Sequence, residues 1–263
     1  RQEIAGLNQD WHAEVDRLFA GDGTEGLMAQ AEVVGILNEI VGSTDVIVCA
    51  AGSLPGDLHK LWRSSDPKSY HAEYGYSCMG YEIAGALGVK MAAPERQVWA
   101  LVGDASYLMM SQEIVTAVQE GLQLNVVLID NHGFSSIGGL SEAVGSSGFG
   151  TVYRFRDDDG QLSGAHLPLD YAKNAESLGA IAIRATGRVA VREALRQARE
   201  NSRTTVVVIE TDREKRVPSY DSWWDVPVAE VSSMEAVQQA RQAWEQGVAK
   251  ERAHLSPGPR NRD

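Results

Sequence analysis

Gln97-Val-Trp-Ala-Leu-Val-Gly-Asp-Ala-Ser106 and Asn125-Val-Val-Leu-Ile-Asp-Asn-His-Gly133 share one design: an apolar run of strand length that stops at polar, glycine-bearing residues. Neither run alternates polar with apolar, the pattern of a strand buried on both faces, as parallel sheets require. Residues 111–120 between them read as a helix. A third run, Val46-Ile-Val-Cys-Ala-Ala51, leads into the turn Gly52-Ser-Leu-Pro-Gly-Asp57 and a short helix through Leu61. Further out, periodicity predicts helices over 8–19, 27–41, 79–91, 169–178, 189–201 and 233–252. It predicts strands over 45–51, 97–102, 125–129, 180–184 and 204–209. Strands alternating with helices imply an α/β fold, a doubly wound parallel sheet with helices on both faces and right-handed crossovers. The expected division is an N-terminal linker and helix over 1–26, the central domain over 27–215, and a C-terminal arm and helix over 216–263.

With 263 residues, 43% of them hydrophobic, the chain can bury a full core without staples. Its apolar runs fall far short of the ~20 residues of a membrane span. The two cysteines, Cys49 and Cys78, make neither a disulfide framework nor a C-x-x-C pair, which suits a reducing, cytoplasmic setting. A formal charge of −12 disfavours nucleic acid as a partner. The chain opens Arg1-Gln-Glu-Ile without a methionine or a signal segment, whereas Leu255-Ser-Pro-Gly-Pro259 suits a frayed terminus. Truncation is therefore expected at the front and not at the back.

In a doubly wound sheet, ligands sit outside the carboxyl ends of the strands. There the sequence places Asp104 and Asn131, 27 positions apart (131 − 104), each just past an apolar strand. Either residue alone has an ordinary explanation, the aspartate as a helix cap and the asparagine as a turn former. Together they supply two hard oxygen ligands on neighbouring strand ends. That is too few for a calcium cage but right for Mg2+, which keeps waters and phosphate oxygens. A helix opening with Ala105 and Ser106 would aim free N–H groups at the same place. The constellation describes a magnesium-bridged diphosphate site.

Gly103-Asp104-Ala105-Ser106 followed by Asp130-Asn131-His132-Gly133 resembles the metal and diphosphate signature of thiamine-diphosphate enzymes of the acetolactate synthase and pyruvate decarboxylase group. Ala105 stands where that family usually has a second glycine. The resemblance implies thiamine diphosphate and Mg2+ as cofactors, with Asp104, Asn131 and the Gly133 carbonyl on the metal. A second segment, Gly75-Tyr-Ser-Cys-Met79-Gly80-Tyr81, resembles the family turn whose bulky residue, here Met79, wedges under the bent cofactor. The same likeness implies that the Ser77 carbonyl, Cys78 and the Met79 backbone face the aminopyrimidine ring. It also places Gly52, Ser53 and Leu54 on the diphosphate, and Phe134 beside the metal loop. Glu73 to Ile83, Gly133 to Leu140 and Tyr220 to Val231 look like the branch that hydrolyses a trihydroxycyclohexane-1,2-dione in myo-inositol breakdown. That likeness implies hydrolytic C–C cleavage next to a carbonyl.

Enzymes of this family also need a glutamate from a separate pyrimidine-binding domain. No second doubly wound unit is visible, so the chain reads as half an active site that works in a homo- or hetero-oligomer, completed by another domain or subunit. No catalytic residue is assigned within the chain itself. His71, Glu73 and His132 stand near enough in sequence to face substrate, and Trp223 with Trp224 could close its cavity. The polar stretch from Phe134 to His166 is long enough for a lid. Alternatives are carboligation as in acetolactate synthesis, decarboxylation of a 2-oxoacid, and a non-catalytic subunit that holds cofactor. A nicotinamide-binding domain is disfavoured by the lack of G-x-G-x-x-G after the first strand.

Overall fold

In the computed structural model, which describes residues 1–23, 26–73, 75–218 and 225–251, all the sheet pairings are parallel. Six strands run in the order β2-β1-β3-β4-β6-β5: β1 Val46–Cys49, β2 Tyr70–Ala72, β3 Val98–Gly103, β4 Asn125–Asp130, β5 Ile181–Ala185 and β6 Thr205–Glu210. Successive side chains on a strand point to opposite faces, and here both directions are apolar. Ile47, Trp99, Leu101, Val127, Ile129, Val207 and Ile209 enter one core. Val46, Val48, Val98, Ala100, Val102, Val126, Leu128, Val206 and Val208 enter the other. Burying each such side chain contributes roughly 1.5–3 kcal/mol, so the central strands hold the domain from both sides.

The first core is covered by α1 Gln2–Ala20, α2 Gln30–Ile40, α3 Ser53–Leu61 and α9 Arg188–Glu200, through Val15, Ile36, Leu37, Leu54, Leu58, Val191 and Leu195. The second is covered by α4 Tyr81–Ala92, α5 Asp104–Met110, α6 Glu113–Gln119 and α8 Tyr171–Ser177, through Ile83, Ala86, Tyr107, Ile114, Tyr171 and Ala175. The doubly wound reading therefore holds. At the amino edge of the sheet, buried Asp45 accepts from the Trp99 indole at 3.2 Å, the Gly42 N–H at 2.9 Å and Arg199 at 2.5 Å. Its charge is thus fully partnered.

Several segments differ from expectation, beginning with β2, an edge strand that the apolar runs do not mark. The segment expected to be a turn at 52–57 is helical from Ser53; the helix expected over 111–120 is α6, and the helix expected to open with Ala105 and Ser106 is α5, which opens at Asp104. The stretch 134–166 holds α7 Ser135–Ala143, and its later part folds back beside the β4 loop. There the Phe134 N–H donates to the Thr151 carbonyl at 2.9 Å, and the Tyr153 N–H to the His132 carbonyl at 2.8 Å.

The chain divides into two compact units, residues 1–136 with 150–217, and residues 137–149 with 218–263. The second contains α10 Glu235–Val248, where the Trp244 indole donates to Asp225 at 2.7 Å and Arg241 lies over the Trp244 ring. Trp223, Trp224, Tyr220 and the 255–259 segment lie outside the described residues. Among the described residues no helix is long and apolar enough to cross a membrane.

Trp99 is fully buried and also donates to Asp45. Trp99→Ala is expected to lower the unfolding free energy by about 3–5 kcal/mol, read as a lower urea midpoint with an unchanged slope.

Candidate functional site

Asp104 and Asn131 emerge at the carboxyl edge because β3 and β4 pair in register to their ends. Gly103 sits opposite Ile129, and the candidate residues come one and two positions later. Asp104 is fully buried and Asn131 nearly so, at 6% exposed. Asp104 Oδ1 and Asn131 Oδ1 have no hydrogen-bond partner among the described residues. A buried oxygen without a donor costs about 1–3 kcal/mol, more when charged, and here two such oxygens follow the ends of neighbouring strands.

The electrostatics agree. Burial, and then the neighbouring Asp130 carboxylate, push the Asp104 carboxyl well above its ordinary range. The Ala105 and Gly133 N–H groups and the Tyr171 hydroxyl only partly oppose this. Burial also raises Asp130, although its partner His132 pulls it down. A divalent cation would offset both effects. No three His, Cys, Asp or Glu side chains converge on a metal position among the described residues. The two unpartnered atoms are a carboxylate oxygen and an amide oxygen, hard donors of the kind Mg2+ takes.

Gly133 shows how tightly the loop is drawn. Its φ is +138°, and a Cβ there would lie 2.5 Å from the Thr151 carbonyl oxygen. The bonds that zip residues 132–134 to 151–153 use the His132 carbonyl and the Phe134 N–H, leaving the Gly133 carbonyl out of that ladder. The Phe134 ring packs edge-on against Tyr153. Gly103 has ordinary extended backbone, and a Cβ there would meet nothing within 4 Å. Nothing among the described residues therefore demands glycine at 103.

The other candidate loops arrive from β1 and from the start of α4. Ser53 is half-buried, and its hydroxyl donates to Gln30 Oε1 at 3.2 Å; Gln30 in turn donates to Asp57 at 2.7 Å. Leu54 is a core side chain, so only its backbone is available to a ligand, whereas Gly52 is exposed. Ala105 is buried, and the Ser106 hydroxyl is already used, donating to Glu82 at 2.7 Å. In the wedge turn, Ser77 and Cys78 are exposed and Met79 is half-buried. Ser77 takes the left-handed φ of +52°, with its hydroxyl on the Ala50 carbonyl at 3.3 Å.

Three side chains singled out as possible substrate contacts have protein partners. Glu73 accepts from the N–H groups of Tyr76 at 3.2 Å and Cys78 at 2.7 Å, which hold its carboxyl below the usual range. His71 meets the Tyr81 hydroxyl at 2.7 Å. His132 meets Glu210 at 2.8 Å and stacks on His166, with ring centroids 4.2 Å apart. Two residues that sequence reasoning missed also touch the site. Tyr171, from α8, places its hydroxyl 3.4 Å from Asp104 Oδ2. Glu82, the lone acid of the apolar helix α4, is fully buried beneath the loops. Its isolation in an apolar, Ala- and Gly-rich helix is a usable signal; for Tyr171, 67 positions from Asp104, there is none.

Comparison with known proteins gives the family and the fold. The family described as "Thiamine pyrophosphate enzyme, C-terminal TPP binding domain" matches residues 50–209. A Bacillus cereus protein named 3D-(3,5/4)-trihydroxycyclohexane-1,2-dione hydrolase 2 is 40% identical over 94% of this chain and 39% of its own length. A Clostridium perfringens protein named as the same hydrolase is 42% identical over 82% of this chain and 34% of its own. The chain thus spans between a third and two fifths of the length of these relatives. Among solved structures, the Rhodococcus jostii RHA1 thiamine diphosphate-dependent 4-hydroxybenzoylformate decarboxylase superposes with a TM-score of 0.61 at 18% identity. That superposition covers 73% of this chain and 34% of that one, and at such low identity it speaks for the fold alone.

The raised Asp104 carboxyl has a consequence for stability. The unfolded chain releases that proton in the ordinary carboxylate range, and the folded chain only at higher pH. Between the two, the folded state holds more protons, so stability falls as pH rises. In chelator-treated protein, the melting temperature should fall between about pH 4 and about pH 7, and Asp104→Asn should flatten part of that slope. Equal slopes in the two proteins would show that Asp104 carries no such strain.

Proposed function

The chain belongs to the thiamine pyrophosphate enzyme family, and on that premise we propose that its sheet edge forms the diphosphate half of a hydrolase active site. The proposed reaction is C–C cleavage next to a carbonyl, opening a cyclic 1,2-dione of the trihydroxycyclohexanedione type, as in myo-inositol breakdown. The observation that carries the cofactor assignment is the pair of buried, unpartnered oxygens on Asp104 and Asn131. The substrate class is supported by relatives about 40% identical over most of the chain that bear that hydrolase name.

Asp104, Asn131 and the Gly133 carbonyl would hold Mg2+, and the open space at Gly103 admits the diphosphate close to the backbone. Gly52, Ser53, Leu54, Ala105 and Ser106 would meet the phosphates. With the Leu54 side chain in the core and the Ser106 hydroxyl engaged, both do so through backbone N–H groups. Ser77, Cys78 and Met79 would seat the aminopyrimidine, with Met79 as the wedge and Phe134 flanking the metal loop. When bound, thiamine diphosphate supplies a carbon nucleophile for one carbonyl and an electron sink for the charge left by C–C cleavage. The residues of this chain hold the phosphates, neutralise their charge through the metal, and fix the ring positions.

The glutamate that activates the cofactor would come from a pyrimidine-binding domain, in a homo- or hetero-oligomer. Apolar groups exposed near the candidate loops, Leu108 and Met109 on α5 and Tyr76 in the wedge turn, suit such a neighbour. The free cysteines Cys49 and Cys78 fit a cytoplasmic setting.

In the assembled protein, Asp104→Ala or Asn131→Ala should weaken Mg2+-dependent thiamine diphosphate uptake by about 100-fold or more by calorimetry. Gly103→Ala should keep the wild-type melting temperature and still weaken uptake, because its methyl group would occupy ligand space. A cyclic 1,2-dione should give the open-chain acid. Acetolactate or an aldehyde from pyruvate would replace hydrolysis with carboligation or decarboxylation, and unimpaired uptake in both alanine variants would overturn the site.

A further inference from the structure

Glu82 is a buried carboxylate in an apolar helix, and none of the roles assigned so far uses it. Its Oε1 accepts from the Ala51 N–H at 3.2 Å. Its Oε2 accepts from the Gly80 N–H at 3.1 Å and from the Ser106 hydroxyl at 2.7 Å. Gly80 N–H also donates to Ser106 Oγ at 2.7 Å, closing a small ring of bonds. The three donors belong to three different loops. Ala51 lies two residues past β1, just before Gly52; Gly80 follows Met79, and Ser106 lies in the first turn of α5, two residues after Asp104.

An ionised carboxylate is costly to bury, and an apolar side chain in its place would often serve stability as well or better. What an apolar side chain cannot do is tie two backbone N–H groups and a hydroxyl from separate loops to one point. The wedge turn is pinned from its other side as well, by Glu73 on the N–H groups of Tyr76 and Cys78. Thus the N–H groups of 76, 78 and 80 all end on carboxylates, and of the two carboxylates it is Glu82 that reaches onward to both other segments, beside the Ser77 bond to the Ala50 carbonyl and the Gly80 bond to Ser106.

We infer that Glu82 is a positioning residue that fixes the Met79 wedge turn at a set distance from the Gly52 and Asp104 loops, and so sets the spacing between the ring-side and diphosphate-side halves of the cofactor cradle. The inference rests on the proposed thiamine diphosphate site. It deepens that proposal by assigning the separation of its halves to one residue. In Glu82→Gln, one acceptor oxygen becomes an NH2 group facing N–H or O–H donors, so the clasp must open on one side. Each half can keep its own contacts, but the two are no longer held in register.

The test compares two probes by calorimetry on the assembled protein: Mg2+ with inorganic pyrophosphate, which needs only the diphosphate side, and Mg2+ with thiamine diphosphate, which needs both. For Glu82→Gln, pyrophosphate affinity should stay within about threefold of wild type while thiamine diphosphate affinity falls about tenfold or more. Amide exchange at Ala51 and Gly80 should quicken in the same variant. Ser106→Ala, which removes one donor and leaves the charge, should shift the same ratio in the same direction by less, and it serves as the test if Glu82→Gln does not fold. Equal weakening of both probes, or weakening of neither, would overturn the inference. A wild-type protein that takes up neither probe would refute the underlying site, a result distinct from a wild type that binds both and variants that match it.

Discussion

Two side-chain oxygens, one on Asp104 and one on Asn131, are buried at the carboxyl edge of a parallel sheet with no hydrogen-bond donor among the described residues to satisfy them. Folding ordinarily removes such groups from the interior or pairs them. Here the aspartate is disfavoured twice over, by burial and by the Asp130 carboxylate beside it. The surrounding structure is what makes the arrangement affordable. Both residues follow strands whose side chains fill two apolar cores, so the sheet's stability holds the unfavourable edge in place. A site of this kind is pre-organised, because its cost is met in folding and need not be met when a cation arrives.

The loops around that edge are constrained from several directions. The β4 loop is zipped to residues 151–153, with Gly133 in a conformation and a space that suit only glycine. The wedge turn hangs on Glu73, on Glu82 and on the Ala50 carbonyl. Tyr171 reaches Asp104 from α8, across the second core. Carboxylates thus play two separate parts. Asp104 carries an unmet demand for positive charge, whereas Glu73 and Glu82 spend theirs on backbone N–H groups and so fix geometry.

Much of this was legible in the sequence, for a physical reason. Val98 to Val102 and Val126 to Ile129 are apolar at every position, which only strands covered on both faces require, and their ends mark where ligands bind. Less was legible where local signals are weak. β2 is a three-residue edge strand, and α7, Ser-Ser-Ile-Gly-Gly-Leu-Ser-Glu-Ala, carries two glycines and three serines that disguise a helix. The roles of Ser106 and Glu82 depend on a contact between residues 24 positions apart, and a single sequence gives no such pairing. Glu73 and His132 read from the sequence as polar groups near the site. Their partners proved to be the turn backbone and Glu210, which position the loops from behind.

The central claim is that Asp104, Asn131 and Gly133 together hold one divalent ion carrying a diphosphate. Anomalous diffraction from crystals of the assembled protein grown with Mn2+ and thiamine diphosphate tests it most directly. The account predicts a single strong peak in direct contact with Asp104 Oδ1, Asn131 Oδ1 and the Gly133 carbonyl oxygen, bridged to both phosphates. A peak elsewhere on the protein, or ordered cofactor with no metal between these oxygens and its phosphates, would contradict it.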